Sequence, residues 1–512
     1  MIETAPAITD PTALSASELA RAIAERRLSA RDAVEAHIAR IETVNPALNA
    51  VVVKRYDEAR SEADAADRAL REDRLRGPLH GVPITLKEQF TAAGMPATLG
   101  VASAPADERD GPLVARLRAA GAIVLGKTNV PQLLLYNESD NPVYGRTNNP
   151  VDPSRSCGGS SGGEAAIIAA HGSPLGLGSD IGGSLRTPSH ACGIAALKPT
   201  SGRLTNEDAR LSGYAHGQTA IPSQPGPMAR SVADLTLAMR ILAAPGQDAF
   251  DPLVPPIPWR EPGAVDVAAL RIGYYEDDGY FAAAPAVRRA VREAVAALEQ
   301  RGASVARFAP PDVADAMHLF LRIISADGAA DAQRRLGVSA VDKRIKALLQ
   351  IAAIPNAVRP IASGLLVALG QRRLARQVTG IRRSSVDEYW SLIAAQADYR
   401  RRFVAELDRG GFDAIVCPPH ALPAVTHGST YYLTMASSYA MLYNLLGMPA
   451  GVVPITRVQP GEDRPRKAGR DLVDKTAAAV ERGSSGLPIG VQVVARHWRE
   501  DVALAVMAAL EA

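Results

Sequence analysis

The chain has 512 residues, 47% hydrophobic and 22% charged, the composition of a folded globular protein long enough for a large core. Lysine and arginine total 57 against 54 aspartates and glutamates, so the net charge of +3 carries no basic footprint and nucleic acid is not an expected partner. The three cysteines, Cys157, Cys192 and Cys417, are odd in number and widely spaced, which argues against a disulfide framework or zinc site and for a reducing, cytoplasmic setting.

In chain order, the opening MIETAPAITDPTALSASEL lacks the basic and apolar regions of a secretory signal, and no uninterrupted apolar run long enough for a membrane span follows. Ser15 and Glu18 have capping-box spacing ahead of ELARAIAERRL, and Ser29 with Asp32 repeats it ahead of AVEAHIARIETV, so two amphipathic helices open the fold. A polar helix is predicted over 56–71. In HGVPITLKEQF, Val82, Ile84 and Leu86 share one side of a short strand that Lys87 ends. VARLRAAGAIVLGKTN reads as helix, glycine and a buried strand over 122–125, and the same order returns in AVRRAVREAVAALEQRGASVARF and YRRRFVAELDRGGFDAIVCPP. Helices alternating with short apolar strands predict an α/β fold with helices covering a sheet. The charged, proline-bearing QPGEDRPRKAGRD over 459–471 reads as an exposed loop.

Two motifs mislead. GAIVLGKT over 121–128 satisfies the Walker A pattern, yet Ala122, Ile123, Val124 and Leu125 read as a buried strand and not as a loop offering N–H groups to phosphate. Gly158 to Gly162 matches the G-x-S-x-G nucleophile elbow, which needs an apolar strand directly before its serine; RTNNPVDPSRSC stands there instead. Under that elbow reading, His420, His427 or His497 would supply the base.

A third arrangement remains. SCGGSSGGEAA surrounds Ser160 and Ser161 with Gly158, Gly159, Gly162 and Gly163, and SDIGGSLRTP places Ser184 after a turn whose amides are open to an oxyanion. Only eight lysines stand among many arginines, and arginine cannot accept a proton near neutral pH, so each lysine is notable.

Together Lys87, SCGGSSGGEAA and SDIGGSLRTP resemble the amidase signature family. TNVPQLLLYNESDNPVYGRTNNP, GQTAIPSQPGPMARSVADL, RIGYYEDDGY, AMLYNLLGMPAGVVPITRV and GLPIGVQVVARHWRED extend the resemblance, towards its fatty acid amide hydrolase branch, over most of the chain from Gly81. The resemblance implies an α/β amidase signature fold, a large twisted mixed β-sheet core covered by many α-helices. It implies one such domain over 1–512, with N-terminal helices 12–75, a catalytic core 76–250, a helical cap or lid near 315–385 and a C-terminal core 386–512. It further implies a Ser-Ser-Lys triad with Ser184 as nucleophile, Ser160 as bridging serine on a cis Gly159–Ser160 peptide, and Lys87 as base. The backbone N–H groups of Ile181, Gly182, Gly183 and Ser184 would hold the oxyanion, Leu134 and its neighbours would wall an acyl channel, and Ser161, Asp180 and Arg186 would support the two loops. For Lys87 to act as a base it must be desolvated or sit near other positive potential, bringing its pKa toward roughly 7–8.

By the same resemblance the substrate is a small-molecule amide with an apolar acyl group, cleaved through an acyl-enzyme without cofactor or metal, by a homodimer. Esters and carbamates pass through similar tetrahedral intermediates. The stretch KRIKALLQIAAIPNAVRPIASGLLVALGQRR over 343–373 reads as a helical hairpin broken by Pro355 and Pro360, serving either weak peripheral membrane contact or, preferred, a lid over the active site. No counterpart of the branch's N-terminal transmembrane helix is expected. Two competing functions are a glutaminase subunit of a tRNA-amidating complex and a non-catalytic lipid-binding protein on the same fold.

Overall fold

Local sequence signals set the first elements. In the computed structural model, which describes residues 8–102, 104–207 and 217–511, Ser15 caps the helix Ala16–Ala24 with both bonds of the capping box in place. The first seven residues of the stretch read for a targeting signal lie outside the described residues. Ser29 caps the helix Ala30–Leu48 through the Asp32 N–H at 2.9 Å. The reciprocal bond differs from the expected box: Asp32 is one methylene shorter than glutamate, and its carboxylate accepts from the Ser29 hydroxyl at 2.7 Å. The polar helix follows as Tyr56–Arg71.

Eleven strands form one mixed sheet, and two more form a small ribbon. In chain order they are β1 (Val51–Lys54), β2 (Pro83–Lys87), β3 (Ile123–Thr128), β4 (Asp140–Asn141), β5 (Gly145–Arg146), β6 (Leu175–Asp180) and β7 (Ala195–Lys198). Then come β8 (Gln224–Ala229), β9 (Arg271–Tyr274), β10 (Ser304–Arg307), β11 (Ala414–Cys417), β12 (Ala450–Arg457) and β13 (Pro488–Ala495). The sheet order is β1-β3-β2-β6-β8-β7-β12-β13-β11-β9-β10, with β4 and β5 forming the ribbon. The Walker-like stretch is the buried strand β3, parallel to β2, so its amides serve the sheet and not a phosphate. The glycine-serine loop enters from Asn148↔Ser156 and Arg155↔Thr426 bridges, without the long strand an elbow needs.

The three helix-glycine-strand units are present, and the last two of their strands, β11 and β10, flank β9 in parallel. β10, however, is a half-exposed edge. The predicted hairpin over 343–373 is instead the start of three helices, Lys343–Ala352, Arg359–Ala368 and Arg372–Gly380. Pro360 lies in the first turn of its helix, where its missing N–H has no intrahelical partner to lose, so only Pro355 stands in a break. The loop over 459–471 is largely exposed, yet ion pairs fasten it: Glu462 with Arg289 at 2.8 Å and Arg466 with Glu481 at 2.7 Å. Among the described residues, no helix is long and apolar enough to cross a membrane.

Candidate active site

Strands β2 and β6 are parallel neighbours, so both end at the same edge of the sheet, the position where open α/β sheets bind ligands. Lys87 is the last residue of β2, and Ser179 and Asp180 end β6. The Lys87 Nζ lies 2.7 Å from Ser160 Oγ and 2.9 Å from Ser179 Oγ, with the Ser179 carbonyl at 3.4 Å. Lys87 is fully buried. Burial lowers its pKa from the ordinary 10.5 to about 7, against the pull of the Asp180 and Glu164 carboxyl groups, which favour the ammonium form. Lys127 and Lys198 are buried too, but their amines donate to the Pro96 and Pro199 carbonyls, each at 2.8 Å.

The glycines of the loop answer a packing demand. Gly158 has φ +81°, and a Cβ there would stand 2.7 Å from the Cα of Pro188; one on Gly159 would stand 2.6 Å from the Glu138 nitrogen. Only residues without side chains thread this gap, which ends in the cis Gly159–Ser160 peptide. Two bonds then dock the loop on the Ser184 turn: the Ser161 N–H donates to the Ser184 carbonyl at 3.1 Å, and the Ser161 hydroxyl donates to the Ser179 carbonyl at 3.2 Å. Among the described residues the Ser184 hydroxyl has no hydrogen-bond partner, and it lines a cavity.

The Asp180–Ser184 turn is held by a buried ion pair. Arg186 Nε and Nη2 each donate to an Asp180 oxygen at 2.9 Å, with both side chains fully buried. The remaining Arg186 donors reach Gln492 Oε1, Asn444 Oδ1 and the Ala440 carbonyl, which satisfies a charge that would otherwise be costly to bury. Burial alone would raise the Asp180 carboxyl, but the Arg186 guanidinium outweighs it and holds the group well below the carboxylate range. Asp180 also accepts from the Gly183 N–H at 2.8 Å and the Leu185 N–H at 3.1 Å. The Gly183 amide, expected as an oxyanion donor, therefore serves the carboxylate, because its aspartate folds back under the turn. Ile181, Gly182 and Ser184 line the cavity.

That cavity encloses about 150 Å³ beside Ser184. Its walls include Leu134, Phe320, Met435 and Met441, together with Leu348 and Ile351 of the helix Lys343–Ala352. Leu133 turns away and packs against Ala332, Leu336 and Ile345 of the cap. Arg344, at the root of that helix, donates to Glu138 at 2.9 Å and Asp342 at 2.7 Å. Glu138 in turn accepts from the Gly428 N–H and the Thr430 hydroxyl, so the cap is tied to the segment packed on Gly159.

The three histidines of the elbow reading are engaged elsewhere: His420 with the Leu422 backbone, His427 with Glu138, and His497 with the Leu446 carbonyl. Sequence reasoning missed Gln89, Ser179, Glu138 and Glu164. Glu164 is fully buried, accepts from the Thr85 and Thr128 hydroxyls, and is pushed up to about 7 by burial. Only its place in SCGGSSGGEAA drew attention to that segment.

The model of the amidase family matches residues 32–504. The chain is 37% identical over 444 residues to fatty-acid amide hydrolase 1 of Sus scrofa, covering 85% of this chain and 76% of that protein. It is 34% identical to fatty acid amide hydrolase 1 of Caenorhabditis elegans, covering 94% of this chain and 84% of that one. A solved fatty acid amide hydrolase superposes with a TM-score of 0.85 at 26% identity, covering 99% of this chain and 86% of that structure. The chain thus belongs to the amidase signature family and is a fatty acid amide hydrolase-like amidohydrolase, a hydrolase of amide bonds.

Proposed function

We propose that the protein cleaves the C–N bond of amides with apolar acyl groups through a Ser184 acyl-enzyme, using Ser160 and Lys87 as its proton relay. The observation that carries this reading is the 2.7 Å contact of a fully buried Lys87 amine with Ser160 Oγ, in a loop bonded directly to the Ser184 turn. Neutral Lys87 takes the proton of Ser160 as Ser160 takes that of Ser184, and Ser184 Oγ bonds to the carbonyl carbon. The amides of Ile181, Gly182 and Ser184 receive the oxyanion; the Gly183 amide stays on Asp180.

Collapse of the tetrahedral intermediate breaks the C–N bond as Ser160 gives its proton to the departing nitrogen and Lys87 returns one to Ser160. Protonation of nitrogen is the demanding part of amide cleavage, and a relay at the leaving group meets it. Water, deprotonated through the same groups, releases the acid and regenerates Ser184. Esters of the same acids present the same acyl carbon and are further substrates; carbamates, whose carbonyl lies between oxygen and nitrogen, pass through a similar tetrahedral intermediate and would leave a carbamoyl group on Ser184. Leu134, Phe320, Met435 and Met441 favour an apolar acyl group and disfavour glutamine, whose carboxamide and charged groups would lose water there.

The test is hydrolysis of an acyl-amide series graded by chain length, with matched esters and carbamates. Apolar acyl amides are expected to turn over, and the Ser184→Ala protein is expected to lose all of these activities; normal turnover by Ser184→Ala, or a preference for glutamine, overturns the reading.

The cap is first a lid. Arg344 and Arg359, two of the basic residues bordering its apolar stretches, face inward: Arg344 to carboxylates, Arg359 to the carbonyls of Ile351, Ala352 and Ile381. A separate feature favours peripheral membrane contact as well, because Ile361, Leu365 and Leu369 form an outward stripe, 60–73% exposed, on and just beyond the helix Arg359–Ala368. Liposome flotation of the wild type, lost in Leu365→Glu, is the expected result; wild-type protein that stays unbound rejects membrane contact and leaves the lid.

A further inference from the structure

We infer that Gln89, acting through Ser179, is a positioning residue that points the lone pair of Lys87 at Ser160 and so sets the direction of proton flow. The inference rests on the relay described above and assigns a role to two residues outside it. Both lie within the buried end of the site: Gln89 and Ser179 are each 2% exposed.

Three oxygen atoms surround the Lys87 nitrogen, and their donor and acceptor roles fix its orientation. The Ser179 hydroxyl donates to Gln89 Oε1 at 2.6 Å. Its only hydrogen is committed there, so towards Lys87, at 2.9 Å, Ser179 Oγ acts as an acceptor. The Ser179 carbonyl, at 3.4 Å, can do nothing but accept. A neutral lysine amine has two hydrogens and one lone pair. With both hydrogens drawn to Ser179, the lone pair is left for the third neighbour, Ser160 Oγ at 2.7 Å. Ser160 must then donate to Lys87, which turns an oxygen lone pair towards whatever proton Ser184 offers.

The same arrangement serves the other protonation state. Once Lys87 has taken the Ser160 proton, its three N–H groups meet three acceptors: Ser160 Oγ, Ser179 Oγ and the Ser179 carbonyl. No proton is lost or created, and no group at the amine has to rotate between the two states. A freely turning Ser179 hydroxyl would defeat this, because it could donate to the Lys87 lone pair and occupy the base. Gln89 prevents that by holding the hydroxyl hydrogen on the far side. The charged groups facing the amine are Asp180, at the end of β6, and Glu164, in the helix Gly162–Ala169; neither contacts Gln89 through a hydrogen bond among the described residues.

The test compares the pH dependence of kcat and kcat/KM for wild type, Gln89→Leu, Gln89→Glu and Lys87→Ala on one amide, with circular dichroism to confirm folding. In Gln89→Leu the Ser179 hydroxyl is released to donate to neutral Lys87. Plateau kcat is expected to fall roughly 10- to 100-fold with KM little changed, and the acidic limb is expected to move to lower pH, because the neutral amine gains a donor. Gln89→Glu keeps an acceptor oxygen, so its plateau is expected within a few-fold of wild type while its limb moves to higher pH, drawn by the added negative charge. A loss of packing alone would admit water and move the Gln89→Leu limb up, or lower kcat without moving it; either result overturns the inference. Should Gln89→Leu not fold, an unmoved limb in Gln89→Glu, or a collapsed plateau there, overturns it. A wild-type acidic limb that survives in Lys87→Ala would instead reject Lys87 as the base, which separates failure of the relay from failure of this role for Gln89.

Discussion

Lys87 carries its amine into a site with no solvent exposure, and that placement has consequences for both rate and stability. With a pKa of about 7, the amine is largely neutral just above neutrality and protonated below it. Activity on amides is therefore expected to fall as pH drops through 7, each unit costing about tenfold once the ammonium dominates. A kcat/KM profile flat from pH 5 to 9 would contradict this. In the unfolded chain the same lysine returns to its ordinary 10.5, so between pH 7 and 10.5 the unfolded state binds the extra proton. Stability consequently rises with pH across that window, and the cost of burying the amine is fully present below it. Lys87→Met is expected to raise the melting temperature more at pH 6 than at pH 10, read by calorimetry; equal shifts would mean that the amine is not desolvated.

At the scale of elements, the site is two loops, a strand end and a cap fastened to one another. The cap lines the cavity with apolar side chains, while Arg344, 4% exposed, ties it to Glu138, 1% exposed. Removing one partner of such a buried pair leaves the other unpaired and typically costs about 3–5 kcal/mol. Arg344→Met is accordingly expected to speed amide hydrogen exchange in the helices Lys343–Ala352 and Arg359–Ala368 while exchange in β2 and β6 stays slow. Unchanged exchange in the cap would show that apolar packing alone holds it down; acceleration everywhere would show that the pair supports the whole fold.

Across the molecule, what could be read from sequence is what local chemistry determines. Ser15, Ser29, the strand ending in Lys87, and the glycines around Ser160 each announce themselves within a few residues, because capping, alternation and absent side chains are local signals. The interior of the sheet does not. β8, QPGPMA, carries two prolines and a glycine, yet it is paired on both sides, with Pro225 opposite Ser179 and Pro227 opposite Leu177. Its ladder accommodates residues that propensity would place elsewhere. The Arg344–Glu138 pair and the Gln89–Ser179 bond join distant parts of the chain and have no sequence signature. The family resemblance implies four oxyanion donors before and at Ser184, but only the folded arrangement shows that Asp180 takes the Gly183 amide.

Covalent acylation of Ser184, with Ser160 only carrying protons, has a direct readout. The protein would be treated with a fluorophosphonate and the modified residue located by tandem mass spectrometry of the peptide spanning both serines. A single adduct on Ser184 is expected, formed slowly or not at all in Lys87→Ala. An adduct on Ser160, or full amidase activity remaining after Ser184 is modified, would contradict it.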